Sequence, residues 1–181
     1  WNASEFARSF GVSDMTVRRY LDILTSTFVV RQIPPWHENI GKRQVKAPKT
    51  YLVDSGLLHV LLGIGSAADL AVHPRMGASW EGFAMETVLR AVGAGPDEAF
   101  FWATHAGAEL DLLVVRGRRR RGFEFKRTDA PRVTPSMHIA LHDLRLQQLD
   151  VIHAGDRTFA MAPHIRAVPL ARVLREVKRM A

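Results

Sequence analysis

The stretch that decides the predicted fold is residues 109–126, ELDLLVVRGRRRRGFEFK. Charged and apolar residues alternate on both sides of a glycine–arginine pair, a pattern typical of a β-hairpin. A type II′ turn takes glycine at its first central position, so we place Gly117 there. This register sets Asp111 directly opposite Glu124, and Lys126 follows on the same face of its strand.

Two carboxylates that face each other across a hairpin repel. Directly opposite residues have Cβ atoms about 5 Å apart, and like charges at that distance destabilise a sheet. A hard divalent cation offsets the repulsion, and Mg²⁺ is usually held by one or two carboxylates together with substrate phosphates. Asp111 and Glu124 are therefore candidate ligands of Mg²⁺ or Mn²⁺. The other interpretation is a pair of solvated acids at a sheet edge, balanced by Lys126 and the nearby arginines.

The composition is that of a soluble globular chain. Its 181 residues are 47% hydrophobic, enough for one domain or two small ones. The absence of cysteine excludes disulfides and cysteine-ligated zinc, and it fits a reducing cytoplasm. No apolar run approaches the roughly 20 residues of a membrane-spanning helix, so we expect no membrane partner. Since the chain begins with Trp1 rather than Met, we expect a further N-terminal region in the whole protein.

Positive charge is concentrated around the hairpin. Lys and Arg exceed Asp and Glu by 25 to 18, and residues 116–132 hold eight basic residues against two acidic ones. A basic field of this kind attracts phosphate backbones, although a solvated turn gives the same pattern. The nucleic-acid interpretation assigns phosphate contacts to four arginines of the turn: Arg118, Arg119, Arg120 and Arg121.

Residues 1–62 predict a winged helix-turn-helix domain. Asn2 and Glu5 form a capping box that opens a short helix, and Ser13 starts a second helix. In the second helix we expect one buried stripe, formed by Val17, Tyr20, Leu21, Leu24 and Phe28. Two strand-like segments then form a two-stranded basic ribbon. Such a domain binds DNA or serves as a scaffold and docking module. The DNA interpretation assigns contacts to Arg18, Arg19, Lys42 and Arg43.

The rest of the chain predicts a linker and an α/β domain. Residues 63–78 are rich in Gly, Ala, Ser and Pro and indicate the linker. Residues 79–181 give a helix, three strands, a helix, two strands and a final helix. In the first of these helices Glu81 lies at the rim of the apolar stripe, whereas Glu86 is about 140° away and has an i,i+4 partner in Arg90. Glu81 is therefore the better inward-facing carboxylate.

A helix with an acid near its start, a strand bearing Asp and a strand bearing Glu-x-Lys resemble the PD-(D/E)xK nuclease superfamily. Here the residues are Glu81, Asp111 and the run Glu124-Phe125-Lys126. The resemblance implies a restriction-endonuclease-like α/β/α domain. It also implies that Asp111, Glu124 and Glu81 hold the metal. Lys126 would complete the catalytic set. One departure is Leu110, which stands where the superfamily often has proline.

The chain as a whole resembles the C-terminal half of a bacterial and archaeal family of AAA-type P-loop ATPases. In that family an ATPase module precedes a winged helix and a nuclease-like domain of unknown function. The resemblance rests on WNASEFARSFGVSDMTVRRYLDIL, KAPKTYLVDSGLLHVLLGI, GASWEGFAMETVLRAV, ELDLLVV and FEFKR. Gly41-Lys42 is the only Gly-Lys pair, and Trp36 stands where a phosphate loop needs its first glycine. We therefore expect no nucleotide on this chain and an ATPase module as its partner.

These resemblances imply the DNA-binding and metal-dependent nuclease region of an AAA-type ATPase. Its reaction would be phosphodiester hydrolysis in DNA, in the cytoplasm, and an oligomer is compatible with such an architecture. The alternative is a catalytically inactive nuclease-fold module that binds nucleic acid or docks a partner. Metal-dependent cleavage that disappears in Asp111→Ala would separate the two.

Overall fold

The N-terminal part of the chain folds as two helices followed by a two-stranded ribbon and a third helix. A computed structural model describes residues 2–37 and 47–180. The first elements are α1 (Ala3–Phe10), α2 (Asp14–Ser26), β1 (Val30–Ile33), β2 (Lys49–Leu52) and α3 (Ser55–Leu61). The side chain of Asn2 accepts from the N–H of Ser4, so it caps α1 without the predicted capping box with Glu5, and the side chain of Ser13 caps α2 as predicted. β1 and β2 pair antiparallel.

A six-stranded sheet with its helices forms the larger part of the chain. Two helices precede it, α4 (Ala67–Val72) within the predicted linker and α5 (Met76–Val92). The later elements are β3 (Ala99–Ala103), β4 (Glu109–Arg116), β5 (Arg119–Lys126), α6 (Pro135–Asp143), β6 (Gln148–His153), β7 (Phe159–Ala162), β8 (Ile165–Pro169) and α7 (Val173–Glu176). In the part of the chain that the structure describes, no helix is both long and apolar enough to cross a membrane.

The sheet is mixed and carries helices on both faces. Its strand order is β3-β4-β5-β6-β8-β7, with β5, β6 and β8 parallel and the other neighbours antiparallel. On one face α5 and α7 pack over a core that includes Val88, Leu112 and Phe123. On the other face α6 packs over a core that includes Leu113 and Leu149. The predicted α/β class is confirmed.

The C-terminal segment differs from its prediction. We predicted two strands after the second helix of the domain and a final amphipathic helix, but three strands are present and α7 is one turn long. The backbone is extended at Val177, and the side chains of Val177 and Met180 enter the core beside α5. The Met180 N–H also donates to the carbonyl of Val92. The segment after α7 is therefore extended where we predicted helix, and it buries two apolar side chains in the core.

The predicted apolar stripe of α2 is only partly buried. Two of its residues are buried, Val17 and Leu21. The other three are exposed, Tyr20, Leu24 and Phe28. The core between α1 and α2 consists of small side chains, Ala3 and Ala7, packed against Val17. Helix α2 and the residues directly after it therefore expose apolar side chains that we predicted to be buried.

The end of β1 joins the N-terminal part to the sheet. Ile33 is fully buried in the core that α5 covers. The carbonyl of Pro34 accepts from the N–H of Phe101 at 3.0 Å, and the N–H of Trp36 donates to the Phe101 carbonyl at 2.7 Å. The segment after β1 therefore runs along edge strand β3.

An ion pair makes a second connection between the two parts. Glu86 on α5 accepts two hydrogen bonds from the guanidinium group of Arg31 on β1. The expected partner of Glu86 was Arg90 on the same helix. The bidentate pair with Arg31 is the stronger arrangement, because two parallel charge-assisted hydrogen bonds form at once.

Candidate active site

The predicted hairpin register is confirmed. β4 and β5 pair antiparallel around Gly117, which has a positive φ of 59°. The pairing extends to Leu112 opposite Phe123. Asp111 and Glu124 lie one residue beyond this pair, at the end of the hairpin that is distant from the turn.

A β-bulge places Asp111 at this end. Phe101 on β3 stands opposite both Asp111 and Leu112, because the pairs on either side are Phe100 with Leu113 and Trp102 with Leu110. Bulges redirect side chains and often occur next to active sites. The Oδ2 atom of Asp111 accepts a hydrogen bond from the backbone N–H of Phe125 at 3.1 Å. The aspartate is thereby held against the strand that carries Glu124.

Glu124 is a buried carboxylate between an acid and a lysine. Its side chain is 7% exposed, and its Oε2 lies 2.8 Å from Nζ of Lys126. Burial, and then the charge of Asp111, raise the pKa of Glu124 to about 7 against the opposing effect of Lys126. Burial lowers the pKa of Lys126, but the negative charges around it outweigh burial and raise that pKa. Near neutral pH, Glu124 can therefore exchange its proton for a cation.

Two side chains of β2 reach the acids from the N-terminal part of the chain. Tyr51 donates its hydroxyl to Oε1 of Glu81 at 2.8 Å, and Nζ of Lys49 lies 3.3 Å from Oδ1 of Asp111. Burial and the charges of Glu81 and Asp111 raise the pKa of Tyr51, which keeps its hydroxyl a donor. Sequence reasoning missed both residues. The only signal was their i,i+2 spacing in KTYL, which puts them on one face of a strand.

The structure brings together three of the four predicted catalytic residues. Asp111, Glu124 and Lys126 converge, whereas Glu81 on α5 is hydrogen-bonded to Tyr51. Within residues 2–37 and 47–180, no group of three or more His, Asp or Glu side chains is arranged to hold a metal ion. The two hairpin acids are therefore the candidate ligands, and Glu81 lies near them, close enough for its charge to raise the pKa of Lys126.

The two hairpin carboxylates fit a hard divalent cation. Mg²⁺ takes oxygen ligands and is commonly bound through one or two carboxylates, with waters and phosphate oxygens as the remaining ligands. The raised pKa of Glu124 indicates that the positive charge around the pair does not offset burial and the charge of Asp111. Lys49 and Lys126 each contact one carboxylate oxygen. A cation bound between the acids would replace these ammonium contacts.

Arg118 and Arg119 lie at the exposed tip of the hairpin. At about 3.3 Å per residue, the tip is roughly 20 Å along the strands from Asp111. These two arginines can therefore contact phosphates only at a distance from the acids.

The other two predicted arginines of the turn pack inward. Arg120 donates to the carbonyl of Leu144 at 3.1 Å, and Arg121 donates to the carboxylate of Asp150 at 2.6 Å. Asp150 is completely buried and also accepts from Arg166 at 2.8 Å. Arg120 and Arg121 therefore pack against the sheet in this structure, and the phosphate contacts predicted for them stay a prediction.

Two of the four residues that were predicted to contact DNA in the N-terminal part lie within the described residues. Arg18 and Arg19 are exposed on α2. Lys42 and Arg43 lie outside the described residues.

Comparisons with known proteins match two domains of unknown function. DUF8612, described as a domain of unknown function, matches residues 1–68, and DUF4143, described in the same way, matches residues 76–173. Two uncharacterized proteins, Rv2008c of Mycobacterium tuberculosis and Mb2031c of Mycobacterium bovis, are each 45% identical over 174 residues. The match covers 96% of this chain but only 39% of the length of either relative. No solved structure matches.

Proposed function

This chain belongs to the DUF4143 family of domains of unknown function, which are commonly found at the C-terminus of AAA-type ATPases, and we propose that it is a metal-dependent nuclease region acting on DNA. Its larger unit would have the restriction-endonuclease-like fold of the PD-(D/E)xK superfamily. The observation that carries the proposal is the convergence of Asp111, Glu124 and Lys126 at one end of the β4–β5 hairpin.

The local environment of these three residues supports the proposal. Buried, closely spaced acids with a perturbed pKa are typical of functional sites, because a fold rarely retains such repulsion for stability alone. Glu124 has this property, since burial and Asp111 raise its pKa to about 7. The bulge at Asp111 is a second departure from regular structure at the same place.

The chemistry proposed is hydrolysis of a phosphodiester. Mg²⁺ or Mn²⁺ held by Asp111 and Glu124 would polarise the phosphate and lower the pKa of a bound water. Lys126 orients the attacking water and stabilises the negative charge that develops on the phosphate oxygens. A bond forms between the water oxygen and phosphorus, the ester P–O bond breaks, and a phosphate monoester and a hydroxyl group result.

Substitution of Asp111 tests this function directly. We expect Asp111→Asn to lower Mn²⁺-dependent cleavage of DNA by roughly 100-fold or more, because outer-shell changes alone cost 10- to 100-fold. We also expect the variant to lose the rise in melting temperature that Mn²⁺ gives the parent chain, since a cation that binds only the folded state stabilises it. Cleavage and thermal stability are measured on the same preparations.

The matched control is Asp97→Asn, which removes the same charge from an exposed position before β3. It should keep both the cleavage and the metal-dependent shift of melting temperature. Cleavage that survives Asp111→Asn, or a parent chain whose melting temperature does not respond to Mn²⁺ or Mg²⁺, would contradict the proposal.

A non-catalytic nucleic-acid-binding or docking module is the second candidate. It is favoured by the contacts of Lys49 with Asp111 and of Tyr51 with Glu81, which already satisfy oxygens of both acids. Such a module would bind DNA through exposed arginines, and electrostatic binding of that kind needs no metal. Among the arginines predicted to contact nucleic acid, Arg18, Arg19, Arg118 and Arg119 are exposed. DNA binding that is identical with and without Mn²⁺, and unchanged in Asp111→Asn, would favour this function.

The place of the chain in a larger protein is also a proposal. The two relatives are much longer than this chain, which supports an ATPase module in the whole protein. That module would be the partner that supplies nucleotide hydrolysis, in the cytoplasm. DNA is the proposed substrate, because the predicted helix-turn-helix elements, α1 and α2, lie in the same chain as the acids.

A further inference from the structure

We propose that the winged-helix part completes the active site, with Lys49 of β2 contacting the phosphate that is cleaved and Tyr51 positioning Glu81. The inference rests on the proposed function, because it names two further residues of the same site. The site would then be formed by two parts of the chain. One strand of the N-terminal unit, which comprises α1 to α3 with β1 and β2, and the hairpin of the sheet unit, which comprises α5 to α7 with β3 to β8, would both face the substrate.

The geometry of β2 carries the inference. Lys49 and Tyr51 are two residues apart on one strand and therefore share a face. That face meets the acids, since Nζ of Lys49 lies 3.3 Å from Asp111 and the Tyr51 hydroxyl lies 2.8 Å from Glu81. These are the two predicted site acids that do not contact Lys126 directly. Each predicted acid therefore has one donor from another side chain.

The single, longer contact of Lys49 distinguishes it from a residue that only joins the two units. Arg31 already makes that connection with two hydrogen bonds to Glu86. Lys49 makes one longer contact to Asp111, and its side chain is 30% exposed. Its ammonium group lies 5.7 Å from the centre of the Phe101 ring, which limits where the side chain can move. An ammonium group held loosely beside an acid, and open to solvent, can turn to an incoming phosphate.

The charges around the site also require a second ammonium group. Three carboxylates face one lysine if Lys49 is left out, namely Glu81, Asp111 and Glu124 with Lys126. A divalent cation cancels the two excess negative charges, and a bound phosphodiester then adds one that has no counterpart. Lys49 supplies that positive charge. The attraction between opposite charges is stronger at this partly buried site than at an exposed surface, because solvent and salt screen it less.

Tyr51 acts on the site through Glu81. Its hydroxyl donates to Glu81 Oε1 at 2.8 Å. The hydrogen bond fixes the direction of a carboxylate on α5 that would otherwise be free to rotate. Tyr51 is therefore a positioning residue.

The test compares Lys49→Met with Lys178→Met, which removes the same charge from an exposed lysine after α7. The probe is a short DNA duplex with a nuclease-resistant phosphorothioate backbone, titrated in the presence of Mn²⁺ at several salt concentrations. We expect Lys49→Met to bind roughly threefold to tenfold more weakly and to lower the slope of log affinity against log salt by about 1, as loss of one phosphate contact does. Lys178→Met should match the parent chain.

A second titration, with Mn²⁺ alone, separates a phosphate contact from a structural or blocking role. Lys49→Met should bind Mn²⁺ at least as tightly as the parent, because an ammonium group that competes for Asp111 is removed. Lys49→Arg should retain the salt slope. An unchanged DNA affinity and slope in Lys49→Met overturns the inference, and so does faster DNA cleavage by that variant, which would make Lys49 a block on the site. A parent chain that does not bind Mn²⁺ overturns the proposed function itself, independently of any Lys49 variant.

Discussion

The N-terminal unit and the sheet unit differ sharply in what they bury. The cluster between α1 and α2 contains only small or medium side chains, Ala3, Ala7 and Val17. Large apolar side chains of the same unit are exposed, including Phe10, Met15, Tyr20 and Phe28. The sheet unit buries apolar residues on both faces and also encloses the charged residues Glu124 and Asp150. The first unit therefore has little core of its own, whereas the second has enough to enclose charges.

Contacts with the sheet unit fix the position of the N-terminal unit. Ile33 at the end of β1 is buried in the core of the sheet unit, and Arg31 pairs with Glu86 of α5. Lys49 and Tyr51 of β2 contact acids of the site. The ribbon of the N-terminal unit is therefore held by the sheet unit, on the side where the proposed chemistry lies.

Truncation of Ile33 gives the largest expected effect on stability. It tests most directly the interpretation that the sheet unit holds the ribbon of the N-terminal unit. Ile33→Ala should lower the free energy of unfolding by about 2–5 kcal/mol, because it removes buried methyl groups and leaves a cavity. This is the cost of a core residue, although Ile33 belongs to the N-terminal unit. Urea denaturation followed by circular dichroism gives the change in midpoint at a constant slope.

The matched control for this truncation is Val60→Ala on α3. Val60 is 75% exposed, so we expect a change within about 0.5 kcal/mol. If Ile33→Ala costs no more than Val60→Ala, β1 is not part of the sheet core, and the two units are independent.

Removal of the charge of Glu124 has the next largest effect. The pKa of Glu124 is about 7 in the folded chain and 4.5 without perturbation. Between these values the folded state binds a proton that the unfolded state does not, so stability falls as the pH rises from 4.5 to about 7. We expect Glu124→Gln to remove a decline of about 3 kcal/mol in metal-free buffer, since the shift spans about 2.5 pKa units and each unit corresponds to about 1.4 kcal/mol.

Thermal denaturation in the presence of a chelator, at closely spaced pH values, measures this decline. The control is Asp22→Asn, an exposed carboxylate on α2, which should leave the pH profile of the parent chain unchanged. An identical profile for the parent and Glu124→Gln would mean that the folded chain does not disfavour the charged carboxylate. Burial of acids would then not distinguish the sheet unit.

The hairpin could be predicted from the sequence because its information is local. Alternation of charged and apolar residues gives the faces of the strands, and Gly117 gives the turn, so the positions of Asp111 and Glu124 follow without knowledge of the rest of the chain. The caps at Asn2 and Ser13 are local in the same sense. These elements were predicted correctly, apart from the capping box of Asn2 with Glu5.

The remaining parts depend on contacts between distant segments. The bulge beside Asp111 lies where residues 34–36 pair with Phe101, and no pattern in β4 alone predicts it. The inward turn of Arg121 depends on Asp150, which lies on the neighbouring strand. The contacts of Lys49 and Tyr51 depend on how the ribbon meets α5 and β4. Alternation shows that two side chains share a face, but it does not show what that face contacts.

The exposed side of the N-terminal unit gives the smallest effect, and it has the opposite sign. Phe28 follows α2 with a positive φ of 60°, in the position that Gly11 and Gly93 occupy after α1 and α5. The residue is 78% exposed, so little packing offsets the backbone strain. Phe28→Gly should therefore raise the free energy of unfolding by about 0.5–1 kcal/mol. Phe28→Ala keeps a side chain in the strained conformation and should give no such gain, and both changes are read from urea denaturation. A loss of stability in Phe28→Gly would show that the ring packs against its own unit, and that the N-terminal unit has more core than its exposed residues indicate.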